Sequence, residues 1–362
     1  MRQKKMLNLS GLARYRVHNS LGCKLVCCTG LLLVATWSNP ATVVGQESSG
    51  STVNRAASES AIQAWKTQLS EASSDRATYS PGKRIEYQRG HMCLILAAAH
   101  GGRLTPDDLP NRTTGTLVSD TNVDRLARSI QQELAQLAVA EAQPAAKRPA
   151  ASSESARLQP HLVICHVHRR KLDANRPLEA ACAEDSPAQL HWHEYQQAIL
   201  HAKRCITAEQ GRGLFVELHG HSHPIARLEL GYLLRENDFE LPVSQFNQLG
   251  ARTSLREVVE HQQYDAEQLI RGQVSLGHFL AEENIASVPS PANPKVGKAL
   301  YFNGGWNTLQ HGSRDQGTIS SIQIECHMRG VRDSEEAIAS SAASIGRALW
   351  AFLKLHYPEA VR

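Results

Sequence analysis

Aromatic residues are scarce in this 362-residue chain, at 5%, and no basic patch is interleaved with the few present. That excludes a base-stacking platform for single-stranded nucleic acid. The chain has no Gly-x-Ser-x-Gly elbow, no phosphate-cradling P-loop and no Cys-x-x-Cys pair. Serine-hydrolase, P-loop and zinc-finger chemistries therefore have no anchor here. A surplus of one charge is missing too. Residues 1–45 hold six of the 39 basic residues and no acidic one, so the remainder carries 33 basic against 35 acidic side chains. Such a near-neutral body offers no basic stripe to a phosphate backbone, and no nucleic-acid partner is expected.

Long apolar runs are also absent. The longest begins at Leu25, LVCCTGLLLVATW, and ends at Trp37, short of the roughly 20 residues that span a bilayer. It follows a basic stretch and precedes Val43 and Gly45, small residues suited to a cleavage site before Gln46. Residues 1–45 thus read as a signal peptide, with a retained anchor as the alternative. The expected location is exported, periplasmic or extracellular, with no membrane contact after cleavage. Three of eight cysteines fall in that segment, which leaves Cys93, Cys165, Cys182, Cys205 and Cys326. An odd count leaves at least one thiol free. Cys93, Cys165 and Cys326 sit in apolar runs and read as small buried hydrophobes; Cys182 and Cys205 are available to pair.

Residues 46–60 are Ser/Ala-rich and polar and read as a flexible leader. From 61 to 362 the pattern is that of one catalytic domain. Helices are predicted over 61–72, 119–139, 194–210, 255–269 and 334–355. Strands are predicted over 84–88, 92–99, 161–166, 214–218, 228–234, 298–302 and 319–326. Residues 141–155, EAQPAAKRPAASSES, read as a low-complexity surface insertion. Strands alternating with helices predict an α/β fold with a mixed, largely parallel sheet covered on both faces.

The most informative stretch is LFVELHGHSHP, Leu214–Pro224, an apolar run leading into His219, His221 and His223. Neutral imidazole is the commonest metal ligand near pH 7. Other apolar runs close on His100-Gly101-Gly102, on Asp173-Ala174-Asn175-Arg176 and on Glu325. Such strand ends, gathered at one edge of a sheet, are where α/β proteins build sites. Alternation along 319–326 places Gln323 and Glu325 on the face opposite Ile322 and Ile324.

The segments CLILAAAHGG, HRRKLDANRP, VELHGHSHPIARLELGY, FNGGWNTLQHGS and SIQIECHMRG, in this order, resemble the N-formylglutamate amidohydrolase family, itself related more distantly to zinc carboxypeptidases. The resemblance covers residues 90–335. It implies a three-layer α/β/α sandwich and one Zn²⁺ per chain, held by His100, His219 and a carboxylate. Asp120 or Asp124 supplies that carboxylate, because Arg103 stands where the carboxypeptidase pattern has a glutamate. It further implies Glu325 as general base, Arg170 as polariser of the scissile carbonyl, and Asn175 and Arg176 as the grip on a substrate carboxylate. Tyr232, His311 and Glu229 match positions that support substrate binding. The implied activity is hydrolysis of a C–N amide bond in a small N-acyl amino acid or peptide. Two alternatives stand beside it: an exported metallopeptidase acting on peptides or cell-wall fragments, and a non-catalytic carboxylate- or metal-binding module.

Overall fold

The computed structural model describes residues 49–142, 158–184 and 186–358. The stretch read as a signal peptide and most of the 141–155 insertion lie outside the described residues. Eight strands form one sheet: β1 Thr78–Tyr79, β2 Ile85–Gln88, β3 Leu94–Ala98, β4 His161–Cys165, β5 Gly213–His221, β6 Leu228–Gly231, β7 Ser287–Val288 and β8 Ile319–His327. Their order is β1-β2-β4-β3-β5-β8-β6-β7. The central four, β4-β3-β5-β8, are parallel, while β2 and β6 flank them antiparallel. The sheet is mixed and mostly parallel, as the alternating pattern predicts.

Chain order explains the layers. The step from β3 to β4 through helix Val123–Ala142 runs one way along the sheet, and the step from β4 to β5 through helix Ala188–Glu209 runs back. Right-handed crossovers in opposite directions put their helices on opposite faces. Consistently, Val123–Ala142 packs on the terminal helix Glu335–His356, and Ala188–Glu209 packs on the first helix, Ser49–Ser70. Every residue of β3, β4 and β8 is buried, as strands covered on both faces require. Among the described residues no helix is long and apolar enough to cross a membrane.

Several boundaries differ from expectation. The first helix begins at Ser49, inside the stretch read as a flexible leader. β5 runs on to His221 because β8 pairs with it through His327, so His219 and His221 are strand residues rather than loop residues. The helix predicted over 255–269 is two, Arg256–His261 and Ala266–Arg271, and the Asp265 side chain caps the second by accepting from Gln268 N. Residues 298–302 form no strand: Phe302 N bonds a side chain, Glu229 Oε2, rather than a neighbouring backbone. All five cysteines beyond residue 45, Cys182 and Cys205 included, are free thiols.

Candidate metal centre

The C-terminal ends of the four parallel strands share one edge, and polar residues collect there. His100 lies two residues past β3, where Gly102 lets the chain turn hard against β4: a Cβ on Gly102 would sit 2.2 Å from the His166 carbonyl carbon. His219 lies in β5. Glu325, its Cα partner across the β5–β8 ladder, lies on the same face. Asp120 arrives on the loop before helix Val123–Ala142. Its N–H donates to His100 O at 2.9 Å, and its Oδ2 accepts from Gly220 N at 3.0 Å. The side chain is therefore spent on β5 and not on capping the helix. Buried Arg332 clamps this loop by donating to Thr121 O, Cys326 O and His221 O.

His100 Nδ1 and His219 Nδ1 stand 3.0 Å apart. Asp120 Oδ2 lies 3.5 Å from the first and 3.3 Å from the second. The other nitrogen of each ring meets its own carboxylate: His100 Nε2 contacts Asp173 Oδ1 at 2.6 Å, and His219 Nε2 contacts Glu217 Oε2 at 2.8 Å. Because both Nε2 atoms face acceptors, they carry the hydrogens, and the lone pairs belong to Nδ1. Two Nδ1 atoms and a carboxylate oxygen then converge on one point, where two lone pairs repel unless a cation or a proton stands between them. A divalent cation resolves this, and two histidines plus one carboxylate is a donor set of catalytic zinc. The residues fit the ion. Asp124 does not join them; it lies against Gly101, behind the loop.

Electrostatics agree with the geometry. Burial alone raises the Asp120 carboxyl, but hydrogen bonds and charge from His100 and His219 outweigh it and hold it well below the usual carboxylate range. Asp173 is held low in the same way, against its burial, by His100, Arg169 and Arg112. Burial lowers His219, yet the charge of Glu217 and the bond to Asp120 carry it well above an ordinary histidine. Without a cation those carboxylates keep a proton on the ring, in the place a metal would take.

Glu325 is 5% exposed. Its Oε1 accepts from Gln323 Nε2 at 3.0 Å, and its Oε2 is buried with no hydrogen-bond partner. Burial is the main cause that pushes its carboxyl up to about 7, with Asp120 and Glu229 adding and the two histidines opposing. A carboxylate tuned to that range, with one oxygen free, is equipped for proton transfer at neutral pH. Since β8 lies between β5 and β6, its polar face looks into the site and not into bulk water.

The structure separates the other candidates. Asn175 is buried, its Nδ2 3.2 Å from His219 Nε2 and its Oδ1 accepting from Asn307 N. Arg176 is 54% exposed in its side chain, with Nε 3.8 Å from Asp173 Oδ2. Arg170 is not brought in: its side chain is exposed and makes no hydrogen bond or ion pair among the described residues. Arg169, one residue earlier, is the one that turns inward, donating to Asp173 at 3.0 Å and standing 3.6 Å from Asp120 Oδ1. The turn after β4 fixes that choice, because Arg170 O is held by Arg112 N. His311 is 1% exposed and bonds Gln196 Oε1, and Tyr232 is fully buried with its hydroxyl unpartnered. Among the described residues neither side chain hydrogen-bonds His100, Asp120, His219 or Glu325. His311 supports the site from behind: Gln196 contacts Asn307, which donates to Glu217 Oε1 at 2.6 Å.

Sequence reasoning missed Glu217, Arg169 and Asn307. Glu217 was findable, as an acid inside an apolar strand two residues before His219 and so on its face.

Fold and site together define an α/β protein with a buried two-histidine, one-carboxylate centre at the C-terminal edge of its sheet. No family model matches the chain, and no curated protein matches it. Among solved structures, the chain is similar to N-formylglutamate amidohydrolase from Ralstonia eutropha, at 13% identity over 75% of this chain and 97% of that one, with a TM-score of 0.41. It is similar to a gene product from Agrobacterium tumefaciens at 10% identity, over 75% and 96%, with a TM-score of 0.40. It is also similar to the N-acetylmuramyl-L-alanine amidase Ami1 from Mycobacterium smegmatis at 12% identity, over 72% and 97%, with a TM-score of 0.29.

Proposed function

We propose that this chain is a zinc-dependent amidohydrolase that cleaves the C–N amide bond of a small N-acyl amino acid or peptide. The observation that carries the reading is the pair of carboxylate-backed imidazoles, His100 and His219, whose Nδ1 atoms face each other beside Asp120 Oδ2. When bound there, Zn²⁺ supplies Lewis acidity towards water and towards the substrate carbonyl.

The chain's own residues do the rest. Glu325 Oε2 takes a proton from the attacking water as the new C–O bond forms. It then passes that proton to the nitrogen as the C–N bond breaks. Arg176, whose guanidinium is largely free, binds the substrate carboxylate through its planar fork. Arg169 and Arg112 are committed to Asp173 and so hold His100 in orientation rather than substrate. Asn175, beside His219 and accepting from Asn307 N, holds this side of the site in place. The unpartnered Oε2 of Glu325 favours catalysis over a purely binding module, which has no use for a buried carboxyl tuned to about 7. Residues 1–45 act in this reading as an export signal, supported by the basic stretch and apolar run they contain.

The test is a panel of N-acyl amino acids and dipeptides offered to the zinc-loaded protein, with chelated protein and Glu325→Gln as controls. Hydrolysis lost in both controls supports the reading. Stoichiometric metal with no turnover across the panel rejects it.

A further inference from the structure

Beyond the metal centre, one more feature at this edge of the sheet is built rather than incidental. The segment from Tyr301 to Gly304 is fastened along β6. Tyr301 Oη donates to Leu230 O at 2.5 Å, Phe302 N donates to Glu229 Oε2 at 2.9 Å, and Leu233 N donates to Asn303 O at 2.6 Å. Gly231 permits the approach, since a Cβ there would sit 2.5 Å from Gly304 N. Tyr301 is buried by this fastening, but Phe302 stays 44% exposed. Its ring stacks on His223, centroids 4.8 Å apart and planes at 26°. His223 Nδ1 in turn donates to Glu229 Oε1 at 2.9 Å. The two oxygens of one buried carboxylate thus hold both halves of an exposed aromatic pair.

That carboxylate belongs to the residue paired with Glu325 across the β6–β8 ladder. The pair therefore shares a face, about 4.8 Å apart as neighbouring strands are. Across the sheet edge the order is Arg176 after β4, His100 after β3, His219 on β5, Glu325 on β8, and the Phe302–His223 pair beside β6. A substrate whose carboxylate rests on Arg176 has its amine half at the β4 end. Its acyl half, beyond the scissile bond, must then extend towards β6.

Resting on the amidohydrolase reading, we infer that Phe302, stacked on His223, is the wall of an acyl-group subsite, and that the acyl group it takes is bulky and apolar rather than formyl. A formyl group would leave the ring in water. A phenyl-sized group laid against it removes apolar surface worth on the order of 10–100-fold in affinity.

The zinc-loaded protein and its Phe302→Ala variant are compared on N-phenylacetylglycine and N-formylglycine. The expected result is a wild-type kcat/KM at least tenfold higher for the phenylacetyl substrate, and a fall in that selectivity ratio of about 10–100-fold in the variant. The ratio cancels any change in the fraction of folded enzyme. A wild type that prefers the formyl substrate, or a ratio unmoved by the substitution, overturns the inference while leaving amide hydrolysis standing. Should the wild type hydrolyse neither, the wider panel judges the amidohydrolase reading, and calorimetric binding of N-phenylacetylglycine decides the subsite. Weakening in Phe302→Ala by tenfold or more supports it; an unchanged Kd overturns it.

Discussion

His100 Nδ1 and His219 Nδ1 lie 3.0 Å apart, each ring backed at Nε2 by a different buried carboxylate, Asp173 or Glu217. Glu217 comes from β5 and Asp173 from the loop after β4, and both push electron density towards the same point. Orienting and enriching ligands from behind in this way is how metal-binding imidazoles gain basicity.

Purified protein is expected to bind one divalent ion, measured by metal analysis and by titration calorimetry. His219→Ala should abolish stoichiometric binding. Affinity should fall as pH falls, because protons compete for the Nδ1 lone pairs, and the carboxylates around His219 make it hold a proton strongly. Binding indifferent to both the substitution and pH would count against the site.

Replacing the backing carboxylates tests the arrangement without touching a ligand. Glu217→Gln and Asp173→Asn should each cost about 10–100-fold in metal affinity. Circular dichroism separates that loss from unfolding, which matters because Asp173 also answers the charges of Arg169 and Arg112.

Glu325→Gln should keep the metal and lower kcat by about 10²–10⁴. The general base works in its deprotonated form, so wild-type kcat/KM should fall as pH drops through the Glu325 pKa. Burial puts that at about 7; a bound cation lowers it, so the acidic limb belongs at or below this value. The limb should vanish in Glu325→Gln. A limb that persists in the variant assigns it to another group.

Arg176→Ala should raise KM by about 10–100-fold for a carboxylate-bearing substrate, the worth of a charged hydrogen-bonded pair, with a smaller effect on kcat. Arg170→Ala, at an exposed side chain, should leave both near wild type. The reverse pattern would restore Arg170 to the site and remove Arg176.

The sequence by itself determined the apolar runs and the polar residues that close them. A strand buried on both faces is largely apolar, so β3, β4 and the first half of β5 announce themselves, while β8 shows an alternation of isoleucine with polar residues, and His100, His219 and Glu325 stand out near the ends of these runs. Alternation also told which side chains of β8 share a face. Tertiary structure alone decided between Asp120 and Asp124, between Arg169 and Arg170, and which carboxylate stands behind each imidazole. Neighbouring positions in a loop have the same composition and no fixed period, so only the packing of the loop against β4 and β5 sets which side chain turns inward. It also buried His311 and Tyr232 and left Phe302 exposed against His223, because burial depends on which segments meet across the sheet and not on the residues beside them in the chain.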